Sequence, residues 1–131
     1  MATVTLDLAG LTTELVTLVT GKVDLGSADA TGDLQILDGA SAVLVTIPLL
    51  NPAFAAGTAP ARVIAGAPLT AVAAVATGTA VSGRVRDRDN AVVFSGPVSL
   101  LGGLGVFQLD KVAITIGDLV QVLSGSVTYP A

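Results

Sequence analysis

Alternating apolar and polar positions are clearest in residues 80–100, near the middle of the chain. Two runs with a period of two flank the polar residues 87–90 (DRDN), which is typical of two antiparallel strands joined by a turn. Asp and Asn suit this turn because their side chains bond to nearby backbone and tolerate a left-handed conformation. The pattern therefore predicts a β-hairpin. Its predicted core-facing residues are Val81, Val85, Val92 and Phe94, and its predicted outward-facing residues are Arg84 and Arg86.

Further strand-like runs, separated by turn signals, lie on both sides of this hairpin. Asp38-Gly39 and Gly117-Asp118 are turn pairs. Residues 49–60 contain Asn-Pro, a Gly and a second Pro, so they predict a long irregular connection from which Phe54 reaches the core. The remaining predicted strands are residues 33–37, 43–47, 61–65, 106–109, 112–116 and 119–129.

One helix is predicted, over residues 11–20, and Gly21 is placed to end it. A helix of about three turns is marginal alone in water, so it is expected to dock on a sheet. Residues 3–8 alternate like a short strand, which makes residues 1–22 a predicted N-terminal arm and helix. Residues 21–32 are rich in Gly, Asp and small residues and predict a loop. The predicted apolar face of the helix is Leu11, Leu15, Leu18 and Val19.

These elements predict an all-β fold with one short N-terminal helix. About eight or nine short strands spaced by turns are typical of a mainly antiparallel β-sandwich or a jelly-roll-like fold. A parallel α/β sheet needs helices between its strands, and none is predicted after Gly21. The length of 131 residues suits one core, so residues 1–131 are expected to form a single β-sandwich domain.

Composition removes several functional classes. The chain has no Cys and no His, which excludes thiolate metal sites, Cys nucleophiles and His-based catalysis. Charged residues make up 12% of the chain, against about a quarter in an average domain. So few charges suggest that other chains cover part of the surface, and they predict a homo-oligomer. The net charge of −4 argues against a nucleic-acid partner, which needs a basic face.

A membrane partner is not expected either. Residues 63–83 carry no charge, but Gly66, Pro68 and Gly78 interrupt any helix across them. The N-terminal residues also lack the basic and then apolar pattern of a signal peptide. The protein is therefore expected to stay in the compartment that makes it, or to be assembled there into something larger.

The hairpin holds five of the chain's sixteen charged residues (six basic and ten acidic). Arg is favoured at protein interfaces, so this group is the candidate partner interface. The equally weighted alternative is a solvated strand whose charges blunt a sheet edge. On the interface hypothesis, exchanging Arg84 and Arg86 together for Glu reduces assembly without unfolding the domain. The candidate residues are Arg84, Arg86, Asp87, Arg88 and Asp89.

Candidate metal or catalytic chemistry is weak. Asp87 and Asp89 alternate as in a calcium loop, but the Gly and the distal bidentate Glu of such a loop are absent, which favours a plain turn. A second acidic group is interpreted as a solvated loop in preference to a weak cation site. No enzyme activity, metal or cofactor is expected. The members of that second group are Asp24, Asp29, Asp33 and Asp38.

Several segments together resemble small structural proteins of tailed bacteriophages. The segments are DLQILDG (33–39), NPAFAAG (51–57), the hairpin pattern R-x-x-D-x-D-x-x-V-V-x-x-G (84–96) and SGSVTYPA (124–131). The resemblance implies a capsid decoration, or cement, protein that bridges neighbouring capsid subunits. Its implied partners are the major capsid protein or other virion proteins, and its implied location is the virion, assembled in the host cytoplasm.

Two alternatives stay open beside the decoration protein. The first is a minor tail or tail-associated structural protein, which the same resemblance allows. The second is a carbohydrate-binding or adhesin module. Sugar sites commonly stack on aromatic rings, and the chain has Tyr129 as its only Tyr and no Trp, which weakens this second alternative.

Overall fold

The computed structural model describes residues 16–56 and 61–127, and β-strands dominate them. A single helix, α1, covers residues 16–22 of the described chain. The strands are β1 (Asp33–Leu37), β2 (Val43–Pro48), β3 (Phe54–Ala56), β4 (Arg62–Ile64), β5 (Val72–Ala73), β6 (Gly78–Thr79), β7 (Ser82–Arg86), β8 (Val92–Leu100), β9 (Phe107–Leu109), β10 (Ala113–Ile114), β11 (Leu119–Val120) and β12 (Val122–Val127). The described helix is too short to cross a membrane.

Eight strands form one curled sheet in the order β2-β1-β7-β8-β9-β12-β4-β3. All neighbours are antiparallel except β8 and β9, which run parallel. Two small ladders, β6 with β10 and β5 with β11, complete a sandwich-like arrangement. The all-β prediction is therefore confirmed. The described strands number twelve, more than predicted, because single predicted runs are broken and because β3 lies in the connection that was predicted to be irregular.

The three Phe residues of the chain meet in the core. The ring of Phe94 on β8 lies 5.8 Å from that of Phe54 on β3 and 6.3 Å from that of Phe107 on β9. Phe54 and Phe107 are almost fully buried, which confirms the core position predicted for Phe54. Because β3 is the last strand of the sheet order and β8 lies near its middle, this contact holds the curled sheet around its core.

A β-bulge corrects the predicted faces of the hairpin. Val85 pairs with Phe94 and is fully buried, as predicted. The register then shifts, so that Arg86 pairs with Val92 and one extra residue lies on β8. A shift of one residue exchanges the two faces of a strand, so Val92 is 55% exposed and its predicted core position is wrong. Val81 precedes β7 and is also exposed, contrary to the prediction.

The described part of the helix departs from the predicted apolar face at Leu18. Val16 and Thr20, four residues apart, are buried, whereas Leu18 is 60% exposed and its predicted core position is wrong. Thr20 is tolerated inside because its hydroxyl donates to the Val16 carbonyl at 2.7 Å. Val19, also predicted on the apolar face, is half-buried. The predicted positions Leu11 and Leu15, with the arm in residues 3–8, lie outside the described residues.

Candidate interaction surface

Arg84 lies on the outer face of the sheet, within a row of polar side chains. It pairs in register with Gln35 of β1, which in turn pairs with Thr46 of β2. The Arg84 Nε donates to Gln35 Oε1 at 2.7 Å, and Gln35 Nε2 donates to Thr46 Oγ1 at 3.3 Å. Both ends of the nearly buried Gln35 amide are therefore satisfied. Arg84 points outward as predicted, and its partner is a neutral amide.

Arg86, in the next outward row, is paired within the chain. Its Nε and Nη2 donate to the two carboxylate oxygens of Asp33, each at 2.7 Å. The two side chains are only 20% and 14% exposed. The hydrogen bond from Arg86 to Asp33 raises the pKa of Arg86 above its ordinary value, against the opposing effect of burial. This bidentate pair is the only ion pair within residues 16–56 and 61–127.

Asp87 shapes the turn at the tip of the hairpin. Its Oδ1 accepts hydrogen bonds from the backbone N–H groups of Asp89 and Ala91, at 2.9 and 3.0 Å. Asn90 takes the left-handed conformation, with φ of 66°. This is the turn chemistry that the sequence predicts for Asp and Asn. The carboxylate of Asp87 is therefore used locally.

Residues 23–32, here called the clamp loop, fold against the hairpin tip. The backbone N–H of Arg88 donates to the Leu25 carbonyl, and the N–H of Asp29 donates to the Arg88 carbonyl. Asp89 Oδ1 accepts from the N–H groups of Ser27 and Ala28 at 2.9 and 3.0 Å. The sequence predicts this segment as a loop, but no local signal shows that it binds the tip, because its partners lie about sixty residues away.

Gly26 makes this close approach possible. Its φ of 122° favours glycine, and a Cβ there would lie 2.8 Å from the Asp89 Cγ and 2.9 Å from the Arg88 Cβ. Arg88 also donates from Nε to the Asp29 carbonyl at 2.7 Å. Four of the five candidate charges are thus engaged inside the chain by other charges or by backbone, and Arg84 differs from them in bonding to a neutral side chain.

The second acidic group is spread over separate structural tasks. Asp24 accepts from the Ala53 N–H, Asp33 pairs with Arg86, and Asp38 accepts from the N–H groups of Ala40 and Ala42. The described ranges contain no group of three acidic residues placed to hold a metal ion. The carboxylates of Asp24, Asp33 and Asp38 therefore hold loops and strands together within the chain.

Two apolar features lie at opposite ends of β8. The last residue of β8 and the loop that follows it expose Leu100, Leu101 and Leu104, the last of them completely. At the other end, an open cleft of about 310 Å³ lies between the hairpin and the clamp loop. The glycines of residues 101–105 (LGGLG) predict a flexible turn for the first feature, and no sequence pattern predicts the second. The cleft is lined by Lys22, Leu25, Asp87, Ala91, Val92 and Val93.

No protein-family model, curated protein or solved structure matches this chain. Function is therefore inferred from the chemistry and geometry of its own surface. That surface combines internally paired charges with clustered exposed leucines, which is typical of a surface that meets other proteins.

The attachment of the clamp loop is expected to depend on acid pH. The N–H groups of Ser27 and Ala28 donate to the Asp89 carboxylate and hold the pKa of Asp89 below its usual value. A lowered pKa in the folded state means that this contact stabilises the fold above the ordinary Asp pKa of about 3.9 and is lost as pH falls through the folded value. We expect the amide NMR signals of Ser27 and Ala28 to titrate below about pH 3.9.

The matched control for this titration is Asp89→Asn, which keeps the acceptor oxygen but cannot ionise. In this variant the two amide signals should not respond to acid. A titration of the wild-type signals at or above the ordinary Asp value would contradict the prediction.

Proposed function

We propose that this protein is a structural component of a virion that decorates and stabilises the capsid by bridging neighbouring capsid subunits. One observation carries the proposal. The surface has few charged residues, those of the hairpin are bonded within the chain, and exposed apolar side chains are clustered. Only 12% of residues are charged, and three leucines of one six-residue loop are at least half exposed. Such a surface suits burial against neighbouring chains.

Bridging by such a protein works through many modest contacts. Each contact between one copy and a neighbour buries a small apolar area, and a lattice holds the next contact at high effective concentration. Arg84 would make the contact between subunits specific in orientation. Its guanidinium is bonded to a neutral amide and lies on the outer face, where it can bind a carboxylate of a neighbouring subunit. The resemblance of the segments quoted above to phage structural proteins supports the choice of a virion.

An adhesin is disfavoured by the position of the aromatic rings. Phe54 and Phe107 are buried, and Phe94 is stacked between them, so none of these rings forms an open platform for a sugar. A minor tail protein fits the same surface chemistry as a decoration protein. The two are separated by location on the particle.

Quantifying the protein on separated particle parts tests the proposal. We expect it on heads that lack tails, and we expect the purified protein to sediment as an oligomer or to bind capsid subunits tightly. Recovery on isolated tails alone would replace decoration by the tail alternative. A well-behaved monomer at high concentration that does not bind capsids would contradict the covered-surface argument.

A further inference from the structure

The loop after β8 presents leucines from a fixed frame. Here residues 100–105 are called the apolar loop. Ser99 Oγ accepts from the Gly105 N–H at 3.0 Å, and Gln108 Nε2 donates to the Gly103 carbonyl at 3.0 Å. These bonds close the loop from both sides and leave the Leu104 side chain fully exposed. A loop whose backbone is already held in place loses little backbone entropy on binding, so the loop is pre-organised for a contact.

The cleft at the other end of β8 is formed by the bulge and the clamp loop. The register shift in β8 turns Val92 outward, and Leu25 of the clamp loop faces the same space and is 61% exposed. Lys22 and Asp87 lie on the lining with opposite charges, so the cleft has no strong electrostatic preference. The exposed apolar walls therefore favour an uncharged, apolar occupant.

The apolar loop of the same chain does not fill this cleft. Val92 of the cleft and Leu100 of the apolar loop are the two ends of the nine-residue strand β8, which lie about 26 Å apart in an extended strand. A second copy can supply an occupant that is both uncharged and apolar, because residues 91–109 carry no charge and include the apolar loop. The cleft and the loop thus have matching chemistry on opposite ends of one molecule.

We propose that the apolar loop of one copy inserts into the Leu25–Val92 cleft of a second copy, in a head-to-tail contact. Two different surfaces meet in such a contact, so repetition gives a ring if the rotation closes and an open chain if it does not. The inference rests on the proposed function only in expecting neighbouring copies at all. The inference specifies which two surfaces of neighbouring copies meet and in which direction the copies assemble.

The size of the contact sets its expected strength. A few leucine side chains cover much less than the roughly 800 Å² per partner of a stable interface. The free protein is therefore expected to associate weakly, and the contact becomes strong only where other contacts already hold the copies side by side. Where other contacts hold the copies on a capsid, the head-to-tail contact would link neighbouring copies to each other.

Disulfide trapping tests this contact cleanly because the natural chain has no Cys. Two proteins of different tag length, carrying Leu104→Cys and Val92→Cys, are mixed under mild oxidation. Cysteines brought close together in a docked pair form a bond, so we expect roughly tenfold more of the mixed disulfide than of the same product in a control mixture. The control combines Val92→Cys with Leu119→Cys, since Leu119 is also more than half exposed (58%) but lies on β11, outside both surfaces.

Two outcomes overturn the inference. The first is a mixed product no more abundant than the control. The second is a dominant disulfide between two Leu104→Cys chains, which indicates a symmetric contact of the loop with itself. Independently, Leu104→Glu should abolish the rise of sedimentation coefficient with concentration, while Leu18→Glu on the exposed helix position should not. All these measurements use the free protein, whereas the proposed function is tested on particle heads. A negative result for the head-to-tail contact can therefore be told apart from a negative result for capsid decoration.

Discussion

Replacing Phe107 by alanine is expected to lower the free energy of unfolding by about 3–5 kcal/mol. The side chain is fully buried and stacks on Phe94, which links it to Phe54 across the curled sheet. The site is also tightly shaped, because a Cβ on Gly83 of β7 would lie 2.9 Å from the Phe107 ring. The backbone of β7 thus lies directly against the ring, and little collapse into the resulting cavity is possible.

Urea unfolding followed by circular dichroism measures this effect. A total stability of about 5–15 kcal/mol is usual, so the variant would lose a large fraction of it or fail to fold. Phe107→Leu keeps most of the buried volume and should lose less, which keeps the test informative if the alanine variant does not fold. Leu104→Ala, at a fully exposed position, is the matched control with almost no expected change. A loss below about 1 kcal/mol for Phe107→Ala would contradict the proposed role of the stack.

The local pattern predicts the strands well and their faces less well. The period of two and the Asp-rich turn locate β7, β8 and their connection almost to the residue. A bulge adds one residue without a marked sequence signal, and it reverses every side chain beyond it. The predicted core position of Val92 is wrong for this reason, whereas that of Val85, on the other side of the bulge, is confirmed.

Contacts distant in sequence account for the remaining differences. The helix pattern favours Leu18 over Thr20, but the buried Thr20 satisfies its hydroxyl on the helix backbone. Likewise, the sequence predicts five charges at the hairpin but not their partners. Asp33 lies 53 residues from Arg86, and Ser27 lies 62 residues from Asp89, so only folding brings these groups together. The positions of the candidate interface residues could be predicted from the sequence. The hydrogen bonds and the ion pair that bind most of them within the chain could not.

These ties lead to the second large prediction, which concerns Arg86→Glu. The substitution removes two charge-assisted hydrogen bonds and places a carboxylate beside the partly buried Asp33. Hydrogen bonds to charged groups contribute about 1.5–3 kcal/mol, and repulsion between the like charges adds to the loss. We expect the free energy of unfolding at neutral pH to fall by about 2–4 kcal/mol, measured by urea unfolding. The double exchange of Arg84 and Arg86 is therefore not the neutral surface change that the sequence suggests.

Arg84→Glu alone separates an interface role from a structural one. Arg84 donates one hydrogen bond to the neutral Gln35, and its exchange creates no like-charge pair, so the expected cost in stability is about 1–2 kcal/mol, smaller than for Arg86→Glu. If the outward arginines meet carboxylates of a neighbouring subunit, Arg84→Glu lowers occupancy on particles while the domain stays folded. Equal destabilisation by Arg84→Glu and Arg86→Glu would contradict the distinction between an arginine bonded to a neutral amide and one paired with a carboxylate. Unchanged occupancy of folded Arg84→Glu would assign the row to solvated surface and leave the apolar loop and its cleft as the surfaces that bind neighbours.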